Sequence, residues 1–134
     1  MENTAKTRGV NHVGLTVPDV EGTATFFTKV LGFREVRRDP SNSAIFVTDG
    51  IHLVTLWQVE SNTPQPFDRK VNVGLHHIAF EVATTEELYA LHTRLLRVEG
   101  VRIEFAPELL RGGPTMHMMC YEPGGIRIEF IVPA

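Results

Sequence analysis

After Val10-Asn11, apolar positions alternate with polar or small ones through His12-Val13-Gly14-Leu15-Thr16-Val17, a period of two that predicts a strand. Pro18-Asp19-Val20 stops the alternation, and Val20, Ala24, Phe26, Phe27, Val30 and Leu31 then recur at helical spacing until Gly32 ends the helix. Three strand-like runs follow at 33–37, 44–48 and 51–59, divided by Asp39-Pro40-Ser41-Asn42 and by the hairpin signal Asp49-Gly50.

The same order then recurs. Residues 76–82 read as a strand, Thr84-Thr85-Glu86-Glu87 opens a helix with the stripe Leu88, Leu91, Leu95, Leu96, and Gly100 ends it. Runs at 101–105, 116–121 and 126–132 supply three more strands, the last two joined across Glu122-Pro123-Gly124-Gly125. The expected fold is α+β: one domain over 9–134 made of two strand-helix-three-strand modules, 9–59 and 71–134, with a polar linker at 60–70 and a frayed tail at 1–8.

Composition narrows the function classes. A net charge of −3 offers no basic field for nucleic acid, and no run approaches the length of a membrane span. The single Cys120, among Met118 and Met119, has no internal partner, which suits a reducing, cytoplasmic setting.

The repeat carries the candidate chemistry. His12 and His77 lie about 65 residues apart at matching positions, and the run 53–56 lines up with 127–130, making Thr55 the counterpart of Glu129. Alternation puts His12 on one face with Gly14 and Thr16, and His77 with Ala79 and Glu81. If equivalent faces meet, His12, Thr55, His77 and Glu129 converge on one cavity, with Thr55 too weak a donor to be a ligand. Two imidazoles and a carboxylate suit a divalent iron, manganese, nickel or zinc ion with open positions, and the missing thiolate argues against a closed structural zinc site.

With Asn11-His12-Val13, Val30-Leu31-Gly32-Phe33, His77-Ile78-Ala79-Phe80 and Glu122-Pro123-Gly124-Gly125-Ile126-Arg127-Ile128-Glu129-Phe130, the chain resembles the vicinal oxygen chelate superfamily. That superfamily includes glyoxalase I, extradiol dioxygenases, fosfomycin-modifying thiol transferases and bleomycin-binding proteins. The resemblance implies paired βαβββ modules forming an open barrel-like cup, a homodimer, a small-molecule substrate, and the divalent metal (Fe2+, Mn2+, Ni2+ or Zn2+) on His12, His77 and Glu129. It favours His77 over His76 by register, and strand alternation places His76 on the opposite face.

Thr55 stands where glyoxalase I carries a fourth ligand, so the resemblance points away from ordinary glyoxalase chemistry and toward a dioxygenase-like or isomerase-like enzyme. The alternatives are thiol transfer to an antibiotic and a non-catalytic drug-binding protein. Met119 occupies a position where related enzymes tend to carry tyrosine, and His117, two residues earlier, is either an acid or base lining the cup or a surface histidine. Arg111, in Arg111-Gly112-Gly113-Pro114, either reaches an anionic substrate from a cover over the cup or belongs to a plain connector. Trp57 and Phe46 are either an aromatic substrate wall or core. Thr55, Trp57, Met119 and Arg111 are the expected substrate contacts.

Overall fold

In the computed structural model, which describes residues 4–134, β1 (His12–Val17), β2 (Arg34–Asp39), β3 (Ala44–Thr48) and β4 (Leu53–Gln58) form one sheet. A second comprises β5 (Ile78–Glu81), β6 (Arg102–Leu109), β7 (Met116–Tyr121) and β8 (Arg127–Val132). The strand orders match, β1-β4-β3-β2 and β5-β8-β7-β6. In each sheet the first strand runs parallel to the last, as a helical crossover requires, and the other pairs are antiparallel. The fold is α+β, two βαβββ modules with no closed barrel.

Register confirms the repeat. Gly14 lies opposite Thr55 as Ala79 lies opposite Glu129, and Phe46 faces Thr55 as Met119 faces Glu129. Thr55 is therefore the structural counterpart of Glu129. By the same register Ala44, opposite Trp57, is the counterpart of His117, opposite Ile131.

The crossover of the first module is α1 (Val20–Thr25), capped by Asp19, whose carboxylate accepts from the Gly22 amide at 3.2 Å. It does not continue as one α-helix to Gly32: residues Phe26–Val30 form a π turn, with Leu31 N–H bonding to Phe26 O. The wider turn lets adjacent Phe26 and Phe27 both enter the core. In the second module α2 (Thr85–Leu95) starts at Thr84, whose hydroxyl accepts from the Glu87 amide, and Glu86 and Glu87 complement the helix N-terminus.

α1 packs on β3 and β4, and α2 on β6, β7 and β8. One core joins the modules: Leu15, Phe27 and Leu56 lie in the same cluster as Leu88, Met118 and Ile128. Phe27 meets Phe33 and Phe80 edge-on, with ring centroids 5.1 and 6.0 Å apart. A buried bond, Thr23 Oγ1 donating to Glu122 Oε2 at 3.0 Å, ties α1 to the turn before β8.

Several boundaries differ from the pattern-based expectation. β4 begins at Leu53, because the Asp49 carboxylate accepts from both Ile51 N–H and His52 N–H and turns Ile51 out to solvent. β5 begins at Ile78, which leaves His76 and His77 just ahead of it, and the irregular connection runs over 59–77 rather than 60–70. β6 extends to Leu109 through two register shifts. Of the expected tail, residues 4–8 are exposed without regular structure and 1–3 lie outside the described residues. Among the described residues no helix is long and apolar enough to cross a membrane.

Candidate metal centre

Each sheet turns one face to the helices and core and leaves the other open. In the second module Met118, Cys120, Ile128 and Phe130 point to the core, so alternation puts His117, Met119, Tyr121, Arg127 and Glu129 on the open face. His77, ahead of β5, brings its Nε2 to 3.3 Å from Glu129 Oε1. His117 Nδ1 lies 2.6 Å from Glu129 Oε2.

The hydrogen-bond chemistry fixes which atoms remain available. Arg127 Nη1 lies 3.3 Å from His76 Nδ1, and a guanidinium can only donate, so His76 Nδ1 is an acceptor. His77 Nδ1, 2.8 Å from the same atom, must then be the donor of that pair. Its Nε2 is left as a lone pair facing the Glu129 carboxylate, and two acceptors side by side are stabilised by a shared cation, a proton or a metal ion. Ligands of one divalent ion, at bond lengths of about 2.0–2.2 Å, lie roughly 3 Å apart, which the 3.3 Å spacing fits.

His12 is prepared in the same way. Its Nδ1 donates to Asn11 Oδ1 at 2.8 Å, leaving Nε2 bare. Each histidine is thus tied through Nδ1 by the residue preceding it, Asn11 or His76. Tying the second ring nitrogen is the usual support for a metal-binding imidazole.

The structure brings together His77, Glu129 and His117, but not His12. His12 is exposed on β1, and among the described residues no three His, Cys, Asp or Glu side chains gather into a group that could hold a metal ion within one chain. β1 and β5 are edge strands of their two sheets. His12 and Val13 line one cavity with residues 78–81, while Gly14 to Thr16 line another with Leu75 and His76.

A family model for the Glyoxalase/Bleomycin resistance protein/Dioxygenase superfamily matches residues 9–130. The chain belongs to that superfamily. It is also 34% identical over 103 residues to MhqA of Bacillus subtilis (strain 168), named as a ring-cleaving dioxygenase, a match covering 69% of this chain and 30% of that longer protein. Among solved structures, a glyoxylase/bleomycin resistance protein/dioxygenase domain from Frankia sp. EAN1pec superposes with a TM-score of 0.82 at 23% identity, covering 96% of this chain and 94% of the other. A lactoylglutathione lyase from Agrobacterium tumefaciens gives 0.72 at 19% identity, covering 96% of each chain. The fosfomycin resistance protein FosX from Listeria monocytogenes gives 0.72 at 17%, covering 96% and 95%. At these identities the structures share the fold.

Within this superfamily fold the remaining expected residues have distinct surroundings. Thr55 is buried, and its hydroxyl accepts from the Trp57 indole N–H at 2.9 Å and leans toward Val13 O at 3.5 Å. Trp57 is half-buried beside Phe46 on the open face, and Met119 is buried opposite Glu129. Arg111 is exposed at a left-handed φ of 51° in the turn between β6 and β7 and makes no ion pair or hydrogen bond among the described residues. His76 departs from the expected opposite face: as it precedes β5, strand alternation does not govern it, and it meets both His77 and Arg127.

His117 is neither on the surface nor free. Buried against the Phe105 ring, it holds Glu129 through Nδ1 while Nε2 lies 3.9 Å from Glu108 Oε1. An ionised carboxylate only accepts, so Nδ1 is the donor. The sequence reasoning missed a second network on the same face. Arg69 donates to Tyr121 Oη at 2.9 Å, and Arg127 grips Glu104 through two bonds of 2.7 and 2.8 Å. The Arg127 guanidinium holds the Glu104 carboxyl down at about 2, against the opposing cost of burial. Period two was the available signal, since 117, 119 and 121 share one face, as do 127 and 129.

Proposed function

We propose that this chain is a metal-dependent enzyme acting on a small oxygenated substrate, with dioxygenase-like or isomerase-like chemistry. Its divalent ion, Fe2+, Mn2+, Ni2+ or Zn2+, is held by His77 and Glu129 of one chain and His12 of a second copy. The observation that carries the reading is the pair of histidines whose Nδ1 atoms are tied down by Asn11 and His76, with the bare Nε2 of His77 set 3.3 Å from Glu129.

When bound, such an ion supplies Lewis acidity toward adjacent substrate oxygens and lowers the pKa of a coordinated water. The chain's own residues do the positioning. His117 occupies one oxygen of Glu129 and turns the other toward His77. Thr55, too weak a donor to count as a ligand, has its hydroxyl engaged by the Trp57 indole N–H.

A homodimer completes the site. The open-face positions of two of the edge strands, His12, Gly14 and Thr16 on β1 and Ala79 and Glu81 on β5, are all exposed in the single chain. Apposing the open face of one module on that of the other in a second copy covers them and joins His12 to the His77–Glu129 pair. The similarity to MhqA favours the ring-cleaving branch.

The test is metal analysis of protein purified without chelator, followed by reconstitution with ferrous iron and oxygen-electrode assays on catechols. The expected outcome is about one ion per chain, with oxygen uptake dependent on ferrous iron. Turnover of an oxygenated substrate without oxygen uptake selects the isomerase branch. A folded protein that binds none of the four metals sinks the proposal.

A further inference from the structure

Beside the candidate metal centre lies a cavity of about 520 Å³, formed where the 59–77 connection crosses the open face of the second module. Its lining includes Arg69, Lys70, Arg102 and Arg127 against one acid, Asp68. Arg127 is spoken for by Glu104. Among the described residues no carboxylate forms an ion pair with Arg69, Lys70 or Arg102, so three cations face the cavity against the single charge of Asp68, with Glu104 acting on Arg69 only at longer range, in a chain whose net charge is −3.

Two of these cations are held in place by one side chain. Tyr121 accepts from Arg69 Nη1 at 2.9 Å, and the Arg102 guanidinium sits over its ring at 4.1 Å from the centroid. A guanidinium carries five N–H donors in a fixed fork, so after these contacts most donors of both arginines remain unspent. Arginines already immobilised lose little entropy on binding. Phe67 adds an apolar wall.

We propose that this cavity is an oxyanion subsite, which takes a carboxylate or phosphonate substituent of the substrate in the forks of Arg69 and Arg102 with Lys70 beside them. As a substrate subsite it rests on the function proposed above; as an anion site it stands on its own residues. The two places adjoin. His76 lines the cavity and touches His77 at 2.8 Å, and Arg127 lies two residues from Glu129 on one strand face, a separation of roughly 7 Å. An anionic group on an aromatic ring spans that distance to the metal-facing oxygens.

The test is calorimetric titration of chelator-treated, metal-free protein with benzoate, phenylphosphonate and the neutral isostere benzamide. One or both anions bind about tenfold or more tightly than benzamide, with affinity falling as salt rises, and the tighter anion identifies the preferred group. Arg69→Gln/Arg102→Gln weakens the anion about tenfold or more and leaves benzamide unchanged, whereas Arg34→Gln, on exposed β2, changes neither. If the double variant does not fold, Arg102→Gln alone, at an exposed position, gives the same direction. Benzamide binding as tightly as both anions, or arginine variants with unaltered anion affinity, overturns the proposal. Because the titrated protein is metal-free, its anion binding does not depend on whether His77 and Glu129 hold an ion, so a failure of the metal reading stays distinguishable from a failure of this one.

Discussion

His117 donates from Nδ1 to Glu129 Oε2 at 2.6 Å, and both side chains are buried. They are diagonal neighbours on adjacent antiparallel strands, close enough for long side chains to meet. The counterpart positions in the first module hold Ala44 and Thr55, so the duplication keeps this pair only in its second half. In the proposed metal centre His117 is thus a positioning residue: it fixes one carboxylate oxygen and leaves the other facing His77.

His117→Ala removes that donor and leaves Glu129 buried without it, at a stability cost of about 1–3 kcal/mol in urea unfolding. Metal affinity falls about 10–100-fold, the range for loss of a group that orients a ligand. His117→Asn, which retains a donor, recovers part of the metal affinity; a merely space-filling role would give no such recovery.

The Thr23–Glu122 bond links residues 99 apart in sequence and latches the modules together. Glu122 is fully buried, its other oxygen accepting from the Ile126 amide at 3.1 Å. Thr23→Val keeps the volume and removes the donor, which lowers the unfolding free energy by about 1–3 kcal/mol. Gly124→Ala is also destabilising, since its new Cβ would lie 2.6 Å from Glu122 Oε1 and 2.7 Å from Thr23 Oγ1. Both are read from urea midpoints.

Glu104 has its pKa held down to about 2, below the ordinary 4.5, by the Arg127 guanidinium. A depressed carboxyl stabilises the fold above its unfolded pKa and loses that contribution as pH falls through the folded value. The loss therefore runs from about pH 4.5 down to 2. Glu104→Gln flattens this limb: its urea midpoint changes less than that of the wild type between pH 5 and pH 2.5.

Burial, with Glu122 nearby adding to it, pushes the Cys120 thiol up to about 12. A thiol-disulfide reagent at pH 8 therefore reacts slowly with the native chain and promptly after unfolding in urea. Prompt native reaction would contradict the packing described for β7.

Much of this was legible from the chain. The alternation around His12 and His77 and the glycines after each helix specify the modules, and the register pairs Thr55 with Glu129 as the repeat implied. The same alignment singles out His77 and Glu129, which the structure sets 3.3 Å apart. Other features rest on contacts that periodicity does not encode. The π turn at Phe26–Val30 answers the demand that two adjacent phenylalanines enter one core. His76 escapes strand alternation because β5 starts two residues later. The cationic cavity draws Arg69 from the connection, Arg102 from β6 and Tyr121 from β7, three segments with no common sequence signal.

The most direct measurement for the proposed metal centre is its stoichiometry in mixed subunits. His12→Ala and His77→Ala proteins are each loaded with ferrous iron, then mixed in equal amounts, allowed to exchange and loaded again. If the centre takes His12 from one copy and His77 with Glu129 from another, each heterodimer holds one intact site, and bound iron rises to about one quarter of the wild-type content. Iron that stays at the level of the two separate variants would contradict a centre shared between chains.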